Sequence, residues 1–120
     1  MKHDFRDLVV WQKAVAFVTE VYRATQSFPT DERFGLTSQI RRAAVSIPSN
    51  IAEGQGRLTR GEFRQFLGHA KGSLCEVETQ LIIAQNLGYL SDPQSLLAQL
   101  HEVARLLNGL LSSLTVDERS

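Results

Sequence analysis

The chain has 120 residues, 42% of them apolar and 22% charged, a balance that suits one globular domain spanning 1–120 and excludes a disordered polar chain. Thirteen basic groups cancel thirteen acidic ones, so net charge by itself selects neither a nucleic acid nor a membrane as partner. No apolar run approaches the roughly 18 residues a membrane span needs, and the opening MKHDFRDLVVWQKA threads charges through a segment with no cleavage site, unlike a signal peptide. The single cysteine, Cys75, rules out an intrachain disulfide and suits a reducing cytoplasm.

Periodicity predicts four helices. The first covers about 6–27, with Val10, Trp11, Ala14, Val15, Val18, Val21 and Tyr22 on one broad face at about 100° per residue. Its apolar groups spread further, to Phe17. The linker FPTDERFG follows, with Pro29 as a helix stop and Thr30-Asp31 as turn or cap residues. A second helix over about 35–54 carries Leu36, Ile40, Ala43, Ala44, Ile47 and Ile51 on one stripe, and Gly54 and Gly56 end it. Pro48 sits inside this helix, where a missing donor and a ring clash cost about 3 kcal/mol, so the chain is expected to use the kink.

The third helix, about 60–87, opens on a Thr59–Glu62 capping box and ends on Asn86-Leu87-Gly88, a left-handed stop. Phe63, Phe66, Leu67, Ala70, Leu74, Val77, Leu81 and Ala84 form its core stripe. The fourth, about 92–115, is capped by Ser91 or Asp92 with Pro93 in its first turn. Leu96, Leu97, Leu100, Val103, Leu107, Leu110, Leu111 and Leu114 line it, and the closing VDERS is expected to fray. Short connections make successive helices antiparallel neighbours, so the predicted fold is all-α, an up-down-up-down four-helix bundle.

Two features point to self-assembly. The apolar arcs of the first and fourth helices exceed the stripe of about 100° that one bundle core needs, which implies burial on two sides. In the third helix Gly61, Gly68 and Gly72 share a flank with Cys75 and Thr79. Each interior glycine costs about 1 kcal/mol against alanine, a cost that close approach by another helix offsets. Cys75, among these small residues, reads as a packing residue.

Charge is unevenly placed. Residues 33–72 hold seven basic groups against Glu53 and Glu62, while the remainder holds six basic against eleven acidic. Arg60, Arg64 and Lys71 fall within about 40° of each other on the third helix, with Arg57 just before. If the second and third helices run antiparallel about residue 56, Arg41 and Arg42 stand level with Lys71, and the band extends on the order of 20 Å. Such a band suits a phosphate backbone, and equally suits salt bridges to carboxylates of a neighbouring subunit.

Catalytic chemistry finds no support. The turn Glu53–Arg57 matches neither GxxxxGK[ST] nor GxGxxG; with Arg57 and Arg60 nearby it offers at most a place for an anion, and helix stop, turn, helix start is the simpler reading. His3, His69 and His101 are isolated, and His69 and Cys75 stand about 240° apart on their helix. No cofactor, metal or catalytic residue is expected, and the chain reads as a non-enzyme.

DLVVWQKA at 7–14, FPTDERFGLTSQIRRAAVSIPSNIAEG at 28–54, FLGHAKGSLCEVETQL at 66–81 and LGYL at 87–90 carry a resemblance across nearly the whole chain. It resembles the 23S rRNA intervening-sequence proteins, also called S23-like four-helix-bundle proteins. The resemblance implies antiparallel four-helix bundles assembled as ring-like homopentamers. It extends to the accessory variability determinant of diversity-generating retroelements, a basic pentameric barrel that binds nucleic acid and a reverse transcriptase. This chain departs from that relative in being electrically neutral. The expectation is a homo-oligomeric scaffold binding RNA or DNA through Arg41, Arg42, Arg57, Arg60, Arg64 and Lys71. The alternative is a protein–protein module whose arginines form intersubunit salt bridges.

Overall fold

Four α-helices carry most of the chain: α1 (Val9–Thr25), α2 (Leu36–Gln55), α3 (Arg60–Asn86) and α4 (Gln94–Arg119), with short 3-10 turns at Phe5–Asp7 and Thr30–Glu32. The computed structural model describes residues 4–119, with side chains to Leu114; His3 and Ser120, read above as an isolated histidine and the end of a frayed tail, lie outside them. No strand occurs among the described residues. Each helix packs on its two neighbours in the order α1, α2, α3, α4 and back to α1, giving a bundle of 50 × 20 × 19 Å. No described helix is long and apolar enough to cross a membrane.

Local chemistry sets the helix limits. Asp4 Oδ1 accepts from the Arg6 amide at 2.8 Å, closing the first 3-10 turn. Leu8 is then extended (φ −75°, ψ 123°), so α1 starts at Val9 rather than near residue 6. At α3, the Glu62 amide donates to Thr59 Oγ1 and the Thr59 hydroxyl donates to Glu62 Oε1, both at 3.1 Å, which is the expected Thr59–Glu62 cap. The stop after α3 is a Schellman motif: Gly88 has φ +80°, Tyr89 N donates to Ala84 O at 2.9 Å, and Gly88 N donates to Gln85 O at 3.0 Å. Between the two candidate caps of α4, Asp92 does the work, its Oδ1 accepting from Gln94 N at 3.2 Å. The α4 backbone stays helical to Arg119, beyond the expected end at 115.

The core draws on all four helices, from Val10, Ala14, Phe17 and Val21 of α1 to Leu96, Leu100, Val103 and Leu107 of α4. The stripes expected for α2, α3 and α4 are buried or half-buried as read. The α1 stripe is displaced. Phe17, read as an outlier, is fully buried, whereas Val15 and Tyr22, read as core, are 37% and 40% exposed. Val10, Ala14, Phe17 and Val21 share the inward stripe at spacings of three and four, and Val15 and Tyr22 fall outside it.

α2 runs through Pro48, which is itself buried. Across it, Asn50 Nδ2 donates to Ser46 O at 2.8 Å and to Ser46 Oγ at 2.9 Å, while Ser46 Oγ shares a 2.8 Å hydrogen bond with Ser73 Oγ on α3. A small polar cluster thus joins the two helices beside the position where the proline removes a backbone donor.

Candidate nucleic-acid interface

The α2–α3 pair carries all six basic residues proposed from the sequence, and its register decides how they group. Gly54 belongs to α2 rather than ending it, and the helix continues to Gln55 with Gly56 as its C-cap. The segment 53–57, read as helix stop, turn, helix start, thus stays helical to Gln55 and turns only from Gly56. A Cβ on Gly54 would lie 2.8 Å from Phe66 Cβ and 3.0 Å from Phe63 Cδ1, so hydrogen at this position is what lets α3 come so close. Pairing of Ser46 with Ser73, and of Gly54 with Phe63 and Phe66, puts the antiparallel centre near residues 59–60 instead of 56. Arg42 accordingly stands about six residues, roughly 9 Å, beyond Lys71 along α3.

The six side chains separate into three places. Arg41 turns to α1: Nε donates to Thr25 Oγ1 at 2.8 Å, Nη2 donates to Tyr22 O at 3.2 Å, and its guanidinium lies 4.6 Å from the Tyr22 ring centroid. Arg42 and Arg57 lie on the α2 side of α3. Arg42 lines a hollow with Ser46, Ser73 and Glu76. Arg57 pairs with Glu53 at 3.0 Å and covers the Phe66 ring at 4.5 Å. Helical spacing puts Arg60, Arg64 and Lys71 on one flank of α3, and Lys71 borders a hollow with Glu78, Leu100 and Ala104. Arg60 and Lys71 are exposed and Arg64 is half-buried; Arg60 and Arg64 already have interaction partners. The flank from Arg60 to Lys71 spans about 16 Å. The structure thus brings three of the six together and sets Arg41, Arg42 and Arg57 elsewhere.

Beside this flank runs the row of small residues. Positions for a Cβ on Gly61, Gly68 and Gly72 meet nothing within 4 Å among the described residues. Cys75, read as a packing residue, is exposed on the same face. Large apolar groups are exposed nearby in sequence and at loop tips, among them Ile82 and Ile83 of α3, Phe34 and Leu58.

Sequence reasoning missed a clamp at the opposite end of the bundle. Glu32 Oε1 accepts from the Leu36 amide at 3.0 Å, capping α2, and Oε2 accepts from the Tyr89 hydroxyl at 2.9 Å. The Tyr89 ring packs at 5.4 Å on Phe28. The Leu36 amide, then the Tyr89 hydroxyl, hold the Glu32 carboxyl below its ordinary pKa, while the carboxylate raises that of Tyr89. An acidic residue four positions before the predicted start of the helix stripe was the available signal for the cap; nothing local announces Tyr89, 57 residues away.

Comparison with known proteins matches residues 6–109 to the family described as 23S rRNA-intervening sequence protein, and the chain belongs to that family. No curated protein matches the chain.

Proposed function

We propose that this member of the 23S rRNA-intervening sequence protein family is a cytoplasmic, non-catalytic homo-oligomer, a pentamer on its family resemblance, that binds nucleic acid, RNA before DNA. The observation that carries this reading is the Arg60–Arg64–Lys71 flank, three basic groups aligned along one helix edge for about 16 Å. Arg42 and Arg57 add charge on the α2 side, and Arg41 contributes to holding α1 on α2. Guanidinium and ammonium groups in line suit phosphates, with affinity that falls steeply with salt and depends little on sequence. The uncovered glycine row supports assembly: a second helix fits closely against residues without a Cβ, and the basic flank then borders the interface.

The test is a binding titration with structured RNA and duplex DNA at two salt concentrations, with mass measured by light scattering in the same buffers. Reversal of both Arg60 and Arg64 to Glu should weaken binding and flatten the slope of log K against log salt by about 1.5. Unchanged affinity after both reversals rules this surface out. A second reading is favoured by Arg57, already paired with Glu53, and by Arg42, already beside Glu76: the arginines serve protein contacts between subunits or with another protein. In that case the same reversals lower the assembled mass and no nucleic-acid binding is seen even at low salt.

A further inference from the structure

Among the described residues, hollows open between neighbouring helices, and the charge of three of them differs. The one holding Arg42 includes Glu76, and the one holding Lys71 includes Glu78. The third, of about 310 Å³, lies where the end of α1 meets the start of α2 and is lined by Thr25, Phe28, Pro29, Arg33, Thr37 and Arg41, with no carboxylate in its wall. We propose that this hollow is a binding site for a phosphate group, free or as the monoester of a small organic molecule.

Four observations support it. Thr37 and Arg41 stand one turn apart on α2, and Arg33, in the turn that leads into it, lines the same hollow. Arg41 uses two of its five N–H groups, on Thr25 Oγ1 and Tyr22 O, which leaves three for a ligand. The Arg33 amide donates to Thr30 O at 3.0 Å, while its guanidinium forms no hydrogen bond or ion pair among the described residues and lies 5.4 Å from the exposed Phe34 ring. Thr37 Oγ1 is buried and has no hydrogen-bond partner, although a hydroxyl in that state loses the hydrogen bonds it makes in water.

Competing charges are accounted for. Glu32, in the same turn as Arg33, spends its carboxylate on the Leu36 amide and Tyr89, and Asp31 does not line the hollow. At the α1 C-terminus the carbonyls of Tyr22, Arg23 and Thr25 already accept from the Arg41 guanidinium and from the Gln26 and Phe28 amides. Holding α1 on α2 explains Arg41, but it explains neither the idle Arg33 nor the unsatisfied Thr37. Two guanidinium groups and a threonine hydroxyl lining one hollow match the charge and acceptor oxygens of a phosphate. The buried Phe28 and adjoining Pro29 form an apolar wall for the organic part of an ester. The site does not rest on the α3 flank binding nucleic acid, and its test uses no polymer.

The experiment titrates the full chain, at constant ionic strength, with inorganic phosphate, adenosine 5′-monophosphate and adenosine, read by backbone amide NMR shifts and calorimetry. Saturable shifts centred on residues 25–41 are expected with both phosphates and not with adenosine; the tighter of the two identifies free phosphate or ester as the better occupant. Arg33→Gln should weaken binding about tenfold, the effect of losing one charge-assisted contact. Thr37→Val, which keeps the shape and deletes the hydroxyl, should also weaken it. No saturable shift with either phosphate, an equal response to adenosine, or full affinity in both variants would overturn the proposal.

Discussion

Replacing Gly54 by Ala tests the closest contact in the bundle. The new methyl would stand 2.8 Å from Phe66 Cβ, 3.0 Å from Phe63 Cδ1 and 3.3 Å from Phe63 O. Phe63 Cδ1 can rotate aside, but Phe66 Cβ and the Phe63 carbonyl move only with the α3 backbone. Restoring ordinary contact therefore parts α2 from α3 by about half an ångström, in a close-packed interior. Overpacking of this kind costs about 1–3 kcal/mol. Alanine returns up to about 1 kcal/mol through its better helix propensity, since Gly54 is helical. The net expectation is a loss of about 1–2 kcal/mol, or several degrees in Tm at about 4 °C per kcal/mol for a chain of this size. Urea and thermal unfolding followed by circular dichroism, at one fixed protein concentration, measure it. Gly56→Ala is the control, because its Cβ meets only ordinary contacts at 3.6 and 3.8 Å, and it should stay within about 0.5 kcal/mol of the parent. If Gly54→Ala proves as stable as the parent with an unchanged m-value, the close approach at Gly54 is refuted.

Two further outcomes follow from the same geometry. A Cβ on Gly68 meets nothing within 4 Å, so Gly68→Ala should raise helix stability by about 1 kcal/mol, whereas Gly68→Leu should lower the assembled mass in light scattering if a second copy covers this face; an unaltered mass argues against that interface. The clamp at Glu32 makes stability acid-sensitive. Its carboxyl has a folded pKa below the ordinary 4.5, so its stabilisation is complete above that value and is lost as pH falls through the lowered folded pKa. Urea midpoints should therefore drop on acidification below about pH 4.5, and Glu32→Gln should flatten that part of the profile. Tyr89→Phe should flatten it less, because the Leu36 amide is the larger cause of the shift; an identical profile for Glu32→Gln and the parent contradicts the clamp.

The sequence by itself determined the four helices, most of their ends and three of the four core stripes. Those properties are local: the 3.6-residue period, the Thr59–Glu62 cap, the Asp92 cap and Gly88 in the left-handed region each act within a few residues, although Pro93, expected in the first turn of the fourth helix, immediately precedes it. Tertiary structure decided what depends on a neighbour. The first helix has apolar residues on more than half its surface, so its pattern alone does not say whether Phe17 or Val15 and Tyr22 face the core; packing between α2 and α4 selects Phe17. Gly54 reads as a helix stop until α3 lies against it, and its missing side chain becomes a contact. The basic residues look continuous on a helical wheel, yet the register set by Gly54 and by Ser46 with Ser73 carries Arg42 away from Lys71 and leaves three of six on one flank. Glu32 and Tyr89 meet across 57 residues because two loops fold to the same end of the bundle. A periodicity reports which residues share a face; only the partner helix reports what that face meets.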